Sequence, residues 1–347
     1  MIDETPTFRL VDVAQRAGVS LATASRALSE SDGVSKERAE HVRSVALEMG
    51  YVANAHARSL AGGAGSTVGL IVHEISDPYF TEIASGVLRI ATQRARTVQI
   101  SQSGRTAEGE LIQIRALRTH RVGAIILAGS GRTDALDEKS VARELSAFQA
   151  AGGRVAVIGR HHLSADAVLP DNVAAGRTIA SHLLGLGHRR MAVLAGPAGL
   201  HTVVDRLAGI RAAFNDSGLP EEQLAVMHTE FTREGGVTGA AQILKAHPEV
   251  TAIIAINDVM AIGTLSTLRQ RGVSVPEDMS VAGFDDITVA ADVGPSLTTV
   301  RIPMARMGEF AMEMVLTKQA ARPRRKKTGH ELVVRGSTGP PPHEHTE

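Results

Sequence analysis

The 347-residue sequence contains no cysteine and no tryptophan, and its aromatic residues are only seven phenylalanines and two tyrosines. Without cysteine, a disulfide framework, a thiolate nucleophile and a cysteine-based zinc site are all excluded. Basic and acidic residues number 37 each, so the formal net charge is zero and no general affinity for polyanions is expected. No stretch approaches the roughly 20 apolar residues of a membrane-spanning helix, and the acidic start MIDETPTF has no apolar signal segment. We therefore expect a cytoplasmic protein without membrane association.

Motifs of the common enzyme classes are also missing. The sequence has no GxxxxGK[ST] phosphate loop, no GxSxG nucleophile elbow and no HExxH zinc motif. The adjacent His161 and His162 would point apart and lack further ligands, so we expect no metal site. The sequence thus predicts a protein that is not an enzyme and that needs no cofactor.

What the sequence does contain begins with three helical patterns near the N-terminus. Residues 10–17 place apolar side chains on one helix face, and Gly18 then permits a tight turn. Ser20 is placed to cap a second helix that ends near Leu28. A third helix follows the cap Ser35 and stops at Gly50. A helix, a glycine turn and a second helix together predict a helix-turn-helix unit.

The second of these helices has two faces. Ala24 and Leu28 are expected to point inward. The outer side carries Leu21, Ala22, Ser25 and Arg26. In a recognition helix that enters the major groove by its N-terminus, these side chains would meet base edges, and Arg26 could contact a guanine through two hydrogen bonds. Residues 8–61 hold seven basic and six acidic side chains, so the interpretation depends on placement. A plain three-helix domain is the alternative.

A very short helical segment follows at residues 54–61. Asn54 can cap it, and Gly62 and Gly63 end it. Helices under about 12–15 residues are marginal in water, so we expect this segment to become ordered only when something packs against it. A plain interdomain linker is the alternative interpretation.

Beyond residue 67, eight short apolar runs alternate with helical stretches. The runs are VGLIV (68–72), TVQIS (97–101), AIILAG (124–129), RVAVIG (154–159), RMAVLAG (190–196), AVMHT (225–229), TAIIAI (251–256) and MSVAGF (279–284). This alternation predicts βαβ units with parallel sheets, and the number of strands suits two sheets better than one. The cationic run RPRRKK (322–327) is expected to be a solvated surface loop.

In open α/β sheets, ligands bind at the C-terminal ends of the strands. The residues that follow the runs include Asp77, Tyr79, Phe80, Thr202, Arg206, Phe231, Asn257, Asp258, Asp285 and Asp286. Carboxylate, amide and guanidinium groups can bind adjacent hydroxyls, and an aromatic face can cover a pyranose ring, so a sugar or similar polyol is favoured. Asp258 and Asp286 are more often helix caps or turn formers. Arg206 could also be a structural ion-pair partner.

The stretches LVDVAQRAGVSLATASRAL, GVSKERAEHV and LEMGYVANAHARSLA resemble the DNA-binding headpiece of the lactose/galactose repressor (LacI/GalR) family. The resemblance extends over nearly the whole chain. It implies an N-terminal all-α helix-turn-helix headpiece over residues 1–53, followed by a hinge helix and linker over 54–66. The implied α/β core over 67–338 consists of two doubly wound, periplasmic-binding-protein-like subdomains for effector binding and dimerisation. We expect the chain to cross between them near residues 165, 300 and 328, and a disordered tail over 339–347.

The same resemblance implies roles for individual residues. Two hinge helices would pair across a dimer, and each would push a leucine, here Leu60, into the minor groove. The candidate DNA-binding residues are Ser20, Leu21, Ala22, Thr23, Ser25, Arg26, Asn54, Arg58 and Leu60. The candidate effector-binding residues are Tyr79, Phe80, Thr202, Arg206, Phe231, Asn257 and Asp285. Gly159 stands where lactose-type members have an acid, so a different mode of effector binding is expected.

The predicted function is therefore a transcriptional regulator, most often a repressor, that binds palindromic double-stranded operator DNA as a homodimer. A small sugar-like metabolite would control that binding. Two alternatives stay open at this point. One is a sugar-binding module without regulatory DNA binding, and the other is a carbohydrate hydrolase that uses Asp285 and Asp286.

Overall fold

The structure, a computed structural model, describes residues 8–28, 33–51, 67–317 and 322–342. The chain forms two compact units, Met1–Ser66 and Thr67–Glu347. Each unit has a hydrophobic core of its own. Across these four ranges, no helix is both long and apolar enough to cross a membrane.

The N-terminal unit contains three helices around a small apolar core. They are α1 (Leu10–Arg16), α2 (Leu21–Leu28) and α3 (Lys36–Glu48). Ala24 and Ala27 are the buried side chains of α2, while Leu28 is half-buried against the same core. The expected inward residues Ala24 and Leu28 thus both contact the core, and Ala27 is buried beside them.

The ends of these helices form as the sequence predicts. The Ser20 hydroxyl accepts a hydrogen bond from the Thr23 amide at 3.1 Å, which caps α2. Ser35 caps α3 in the same way, by accepting from the amide three residues further on at 3.4 Å. Gly18 and Gly50 adopt positive φ values of 63° and 64°, which a residue without Cβ reaches at no steric cost. Local sequence signals thus set the helix boundaries of this unit.

The core unit alternates strands and helices. Its strands are β1 (Thr67–Val72), β2 (Thr97–Gln102), β3 (Ala124–Ala128), β4 (Arg154–Ile158), β5 (Asp166–Pro170), β6 (Met191–Ala195), β7 (Leu224–His228), β8 (Ala252–Ala255), β9 (Ser280–Asp285), β10 (Thr298–Arg301), β11 (Arg325–Thr328) and β12 (Glu331–Val333). Its helices are α4 (Pro78–Gln93), α5 (Ala107–Thr119), α6 (Lys139–Ala150), α7 (Asn172–Gly185), α8 (His201–Asp216), α9 (Arg233–Ala246), α10 (Asp258–Gln270) and α11 (Met304–Leu316).

The strands form two six-stranded sheets. The first has the order β11-β5-β4-β3-β1-β2 and is entirely parallel. The second has the order β12-β10-β9-β8-β6-β7, with only β12 antiparallel. We call the first sheet with α4, α5, α6 and α11 the first lobe, and the second sheet with α7 to α10 the second lobe. The predicted architecture of two doubly wound α/β subdomains is confirmed.

Four strands were not predicted, namely β5, β10, β11 and β12. Three of them lack an apolar run because they are short or polar, as in the sequence RKKT of β11. The expectation of a surface loop at residues 322–327 was therefore wrong, because Arg325–Thr328 pairs with β5 at the edge of the first sheet. Exposed lysines are a common way to protect such an edge from further strand pairing.

The chain passes between the lobes three times. It stays in the first sheet through β5, so the first passage follows Pro170. It returns between β10 and α11, because α11 packs on α4 in the first lobe. The last passage lies between β11 and β12. Gly339 is still part of the fold, since its amide donates to the Ser280 hydroxyl at 3.0 Å. Residues 343–347, the rest of the expected tail, lie outside the described residues.

Candidate functional site

The outer face of α2 is the candidate DNA-reading surface. Leu21, Ala22 and Arg26 are exposed there, and Ser25 is half-buried. Thr23 is also half-buried, and its hydroxyl lies 2.8 Å from the hydroxyl of the capping serine. The remaining candidate DNA contacts, Asn54, Arg58 and Leu60, lie outside the described residues. The described part of the face thus offers two apolar side chains and one cation near its exposed surface.

In the core unit, one cavity lies between the two lobes and brings together all seven candidate effector-binding side chains. They are Tyr79, Phe80, Thr202, Arg206, Phe231, Asn257 and Asp285. The space between the atoms is about 440 Å³, including the part that is open to solvent. Tyr79 and Phe80 belong to the first lobe, and the other five belong to the second. The carboxyl ends of both sheets therefore contribute to a single cleft, in the size range of small-molecule sites.

Arg206 and Asp285 form a buried ion pair in the wall of this cavity. The Arg206 Nη2 donates to Asp285 Oδ1 at 2.9 Å, and its Nε donates to Asn172 Oδ1 at 3.0 Å. A third donor, Nη1, bonds to the Ile256 carbonyl. Burial raises the pKa of the Asp285 carboxyl, while the neighbouring guanidinium acts in the opposite direction. The ion pair therefore joins elements of the second lobe and also forms part of the cavity wall.

The backbone at Asp285 is unusual. Its φ of 106° lies in a region that residues with a Cβ rarely adopt. Such outliers concentrate at binding and catalytic sites, where the surrounding structure holds them in place. The end of β9 is therefore the strained point of the cavity.

Arg105 spans the cleft between aromatic rings of the two lobes. Its guanidinium carbon lies 5.6 Å from the ring centroid of Phe80 and 5.1 Å from that of Phe231. Its Nη2 also lies 2.9 Å from Asp77 Oδ2. With two carboxylates and two guanidinium groups, the cavity lining is balanced in charge.

A backbone seam joins the lobes beside the cavity. It consists of residues 130–133, which follow β3, and residues 199–202, which lead into α8. The contacts are an antiparallel bridge between Arg132 and Leu200, the Thr133 amide donating to the Gly199 carbonyl at 2.9 Å, the His201 amide donating to the Gly131 carbonyl at 3.0 Å, and the Thr202 amide donating to the Ser130 hydroxyl at 2.8 Å. Any opening of the cleft on this side must break these hydrogen bonds.

Next to the seam, His201 of the second lobe meets two side chains of the first. The Arg160 guanidinium donates to His201 Nδ1 at 2.6 Å, and Nε2 of His162 lies 3.3 Å from Nε2 of His201. Arg160 also pairs with Asp205 at 2.9 Å. Burial, together with the positive charge of Arg160, lowers the pKa of His201 to about 4. His201 is therefore neutral at pH 7.

His161 points away from this contact. Its Nδ1 lies 3.1 Å from Glu138, and its Nε2 lies 2.8 Å from the Gly129 carbonyl. Among the residues that the structure describes, no three His, Cys, Asp or Glu side chains are arranged to hold a metal ion. The adjacent histidines thus serve two different contacts.

Asp258 and Asp286 do not reach the cavity. Asp258 is fully buried and accepts hydrogen bonds from the Ile287 amide at 2.9 Å and the Thr299 hydroxyl at 2.6 Å. Burial raises the pKa of Asp258 well above its ordinary value. Asp286 forms ion pairs with two arginines outside the cavity. A hydrolytic pair of Asp285 and Asp286 therefore has no geometric basis.

Six further residues line the cavity, namely His73, Asp77, Arg105, Gly129, Ser130 and Leu200. Of these, Asp77 was expected at this edge of the sheet but not assigned to effector binding, and the other five were not predicted. His73, Arg105 and Ser130 follow the ends of β1, β2 and β3, so the strand-end rule contained the signal for them. Leu200 carries no such signal, because its position depends on the seam with the opposite lobe.

Comparisons with known proteins agree with this architecture. Residues 9–54 match the model for bacterial regulatory proteins of the lacI family, and residues 180–338 match the periplasmic binding protein-like domain. The chain is 32% identical over 338 residues to the HTH-type transcriptional regulator DegA of Bacillus subtilis (strain 168), covering 95% of this chain and 98% of that protein. It is 34% identical over 307 residues to the HTH-type transcriptional regulator GalS of Salmonella typhimurium (strain LT2), covering 88% of each. A solved complex of the transcriptional regulator CelR with cellobiose matches with a TM-score of 0.70 at 30% identity, over 95% of this chain and 99% of that chain.

Proposed function

This chain belongs to the lacI family of bacterial regulatory proteins and is a DNA-binding transcriptional regulator, not an enzyme, and from that premise we propose that it acts as a repressor. It binds a palindromic operator as a homodimer in the cytoplasm. A small, neutral, polyhydroxylated molecule in the cavity between the lobes controls this binding. We assign operator reading to residues 1–53, the hinge and linker to residues 54–66, and effector binding and dimerisation to residues 67–338.

The observation that carries the effector assignment is the composition of the cavity. Each carboxylate in the lining is already paired with a guanidinium, so an ionic ligand would leave one charge unbalanced in a poorly hydrated place. A neutral polyol can instead exchange hydrogen bonds with the amide of Asn257 and the exposed edges of the ion pairs. The rings of Phe80 and Phe231 add apolar surface to the cavity on either side of the Arg105 guanidinium. The relative CelR binds cellobiose, a sugar of this kind.

The DNA assignment rests on the exposed side of α2. The Ser20 and Thr23 hydroxyls are bonded to each other at 2.8 Å, so base reading falls mainly to Arg26, with Leu21 and Ala22 supplying apolar contacts. Leu60 is the proposed wedge in the minor groove.

The proposed coupling between the two sites is an order–disorder change in residues 54–61. An effector can shift that equilibrium only through its different affinity for the two arrangements of the lobes. Closure of the cleft would change the separation of the two hinge segments in the dimer. The seam beside the cavity is a set of contacts that such a change must make or break.

Support for the homodimer comes from the free side of the first sheet. Strand β2 is an edge strand, and apolar side chains are exposed on it and on the elements around it. Ile100 on β2 is 39% exposed, and Leu88 on α4 is 42% exposed. An edge strand and a helix packed on it that both expose apolar side chains suit a subunit interface. Analytical ultracentrifugation of the wild type and of Leu88→Asp tests this assignment. The wild type should sediment as a dimer, and Leu88→Asp should dissociate more readily.

The function is tested with DNA and sugars together. Duplexes that bind the full chain are first selected from a random pool, and neutral mono- and disaccharides are screened by thermal shift. A bound sugar raises the melting temperature because it stabilises the native state by RT ln(1 + [L]/Kd). The sugar found in this way should then change the affinity for the selected duplex in fluorescence anisotropy at fixed salt.

Phe231→Ala is the informative variant, since it removes one aromatic wall of the cavity. It should lose the sugar-induced shift and keep its affinity for the duplex. Phe310→Ala is the matched control, because Phe310 does not line the cavity and stacks with Arg306 and Lys326 instead. If no duplex is enriched, the proposed operator binding is wrong. If Phe231→Ala keeps the sugar response, the cavity is not the effector site.

A further inference from the structure

We propose that the edge of the first sheet at which β1 begins binds the phosphates of DNA that flanks the operator. The surface is formed by Arg94, Arg96 and Arg121, which we call the basic rim. This proposal extends the DNA-binding function proposed above and rests on it. The rim adds affinity that does not depend on base sequence.

The register of the first sheet places the basic rim on both sides of β1. Thr67, the first residue of β1, pairs with Thr97 on β2, directly after Arg96. On the other side, Val68 pairs with Ala124 on β3, three residues after Arg121. Neighbouring strands lie about 4.8 Å apart. The arginines therefore flank the point at which the chain coming from the headpiece enters the core.

The three rim side chains are available for a partner. All three residues are exposed, and within the described part of the chain none of them forms an ion pair with a carboxylate. Arg94 and Arg96 line a shallow depression together with Glu313, and that acid makes no ion pair with either of them. The rim therefore carries an excess of positive charge over its one acidic neighbour.

The two ends of the first sheet differ in charge. At the cleft end, the loops that follow the strands carry six acids against three arginines (Arg105, Arg132 and Arg160), the acids being Glu74, Asp77, Asp134, Asp137, Glu138 and Asp171. At the opposite end, Asp166 is buried against Arg324, and Glu144 is paired with arginines of α5. The whole chain has no net charge, so the difference between the two ends comes from how the fold places the charged residues. The positive charge lies at the end of the first sheet where β1 begins.

The backbone at Arg121 provides a variant that removes the side chain without strain. Four core helices are followed, two residues after their last turn, by a glycine with positive φ, at Gly152, Gly187, Gly218 and Gly272. This is the usual helix C-terminal arrangement. At the ends of α4 and α5 the same place is taken by Ala95 and Arg121, with φ values of 48° and 55°. Glycine would adopt either φ without strain, so the backbone accepts Arg121→Gly.

DNA phosphate is the partner that fits these observations. The headpiece stretch 8–61 has an excess of only one basic residue, so the headpiece carries little net positive charge toward the DNA. Binding that neutralises phosphates releases counterions, and its strength falls with salt by a slope of about 0.9 for each phosphate contacted. Cations at the edge where the headpiece is tethered would add such contacts on the flanking duplex.

The test measures the salt dependence of binding to a selected duplex in two lengths. One duplex is trimmed to the protected site, and the other has about one helical turn, roughly 10 base pairs, of random flank on each side. On the long duplex, Arg94→Gln/Arg96→Gln should reduce the slope of log Kd against log salt by about 1.8. The ratio of the variant's Kd to the wild-type Kd on the long duplex then falls about tenfold between roughly 50 and 200 mM salt. On the trimmed duplex the two proteins should have equal slopes.

Arg121→Gly separates a binding role from a structural one. Because glycine suits the φ of 55°, this variant should keep or raise the melting temperature while its slope on the long duplex falls by about 0.9. Arg269→Gln/Arg271→Gln is the charge-matched control, since these two exposed arginines end α10 in the second lobe. Its slope should equal that of the wild type.

The outcomes distinguish the two proposals. A wild type that binds no selected duplex refutes the operator function itself. A wild type that binds the duplex, with equal slopes for the rim variants, refutes the basic rim only. An equal reduction in the Arg269→Gln/Arg271→Gln control would also refute it, because the effect would then reflect net charge and not position.

Discussion

The ion pair of Arg206 and Asp285 allows the structural and binding roles of one cavity wall to be separated. Arg206→Met keeps the length of the side chain and removes all of its donors. The carboxylate of Asp285, the amide oxygen of Asn172 and the Ile256 carbonyl then lose a hydrogen bond in a place where Arg206 itself is only 3% exposed. Loss of one member leaves the other buried without its partner.

The expected cost follows from this geometry. Breaking a buried ion pair by removing one member costs about 3–5 kcal/mol. In a domain of this size, 1 kcal/mol shifts the melting temperature by roughly 2–4 °C, so Arg206→Met should melt on the order of 10 °C below the wild type. Without the guanidinium, burial and the negative charge of Asp77 both raise the pKa of Asp285 further. A carboxyl whose folded pKa is raised loses stability as the pH rises, so the deficit should be larger at about pH 8 than at about pH 5.

Calorimetry or thermal shift of two variants tests this reasoning. In Arg206→Met/Asp285→Asn the buried charge is gone, and asparagine tolerates the positive φ at this position. The double variant should recover more than half of the lost stability, because no unpaired charge remains. The sugar-induced shift should nevertheless stay absent in both variants, since the hydrogen-bonding groups of the wall are missing.

Two results would contradict this account. If the double variant regained the sugar response together with its stability, the pair would be structural only. If Arg206→Met melted within a degree or two of the wild type at pH 8, the hydrogen bonds of the guanidinium would not be stabilising the lobe.

Three further predictions concern the recognition helix, the hinge and the seam. Arg26→Ala should relax specificity at one base pair by about 1–3 kcal/mol, measured with singly substituted operators; unchanged discrimination would remove Arg26 from base reading. Leu60→Ala should weaken operator binding and leave the melting temperature and sugar response unchanged, so an unaltered Kd at fixed salt would exclude the wedge. Because the pKa of His201 is lowered from 6.5 to about 4, its contribution to stability is complete above pH 6.5 and is lost as the pH falls toward 4. His201→Gln should therefore lose less stability than the wild type as the pH is lowered from about 6.5 to about 4. If the two proteins lose stability equally over this range, the buried His201 does not make folding pH-dependent.

The sequence by itself determined the elements whose signals are local. The caps Ser20 and Ser35 set the starts of α2 and α3, because the hydrogen bonds they accept come from amides only three residues away. The apolar runs predicted eight strands; six of them are central and largely buried, and such strands need a continuous apolar stretch, while the edge strands β2 and β7 are less buried. The convergence of seven side chains on one cavity was also predictable, because the carboxyl ends of parallel strands share one edge of a sheet.

The tertiary structure alone decided which of these groups contact each other. Arg206 and Asp285 are far apart in sequence, and only the neighbouring positions of α8 and β9 bring them to 2.9 Å. Strand β11 forms because its backbone hydrogen-bonds to β5 at the edge of the sheet. Its sequence RKKT has no apolar run, so the strand could not be predicted from it. The basic rim likewise arises from register, which places arginines before β2 and β3 on either side of β1. Hydrogen bonding and charge pairing between distant segments depend on their separation in space, and that separation is fixed only when the sheets have formed.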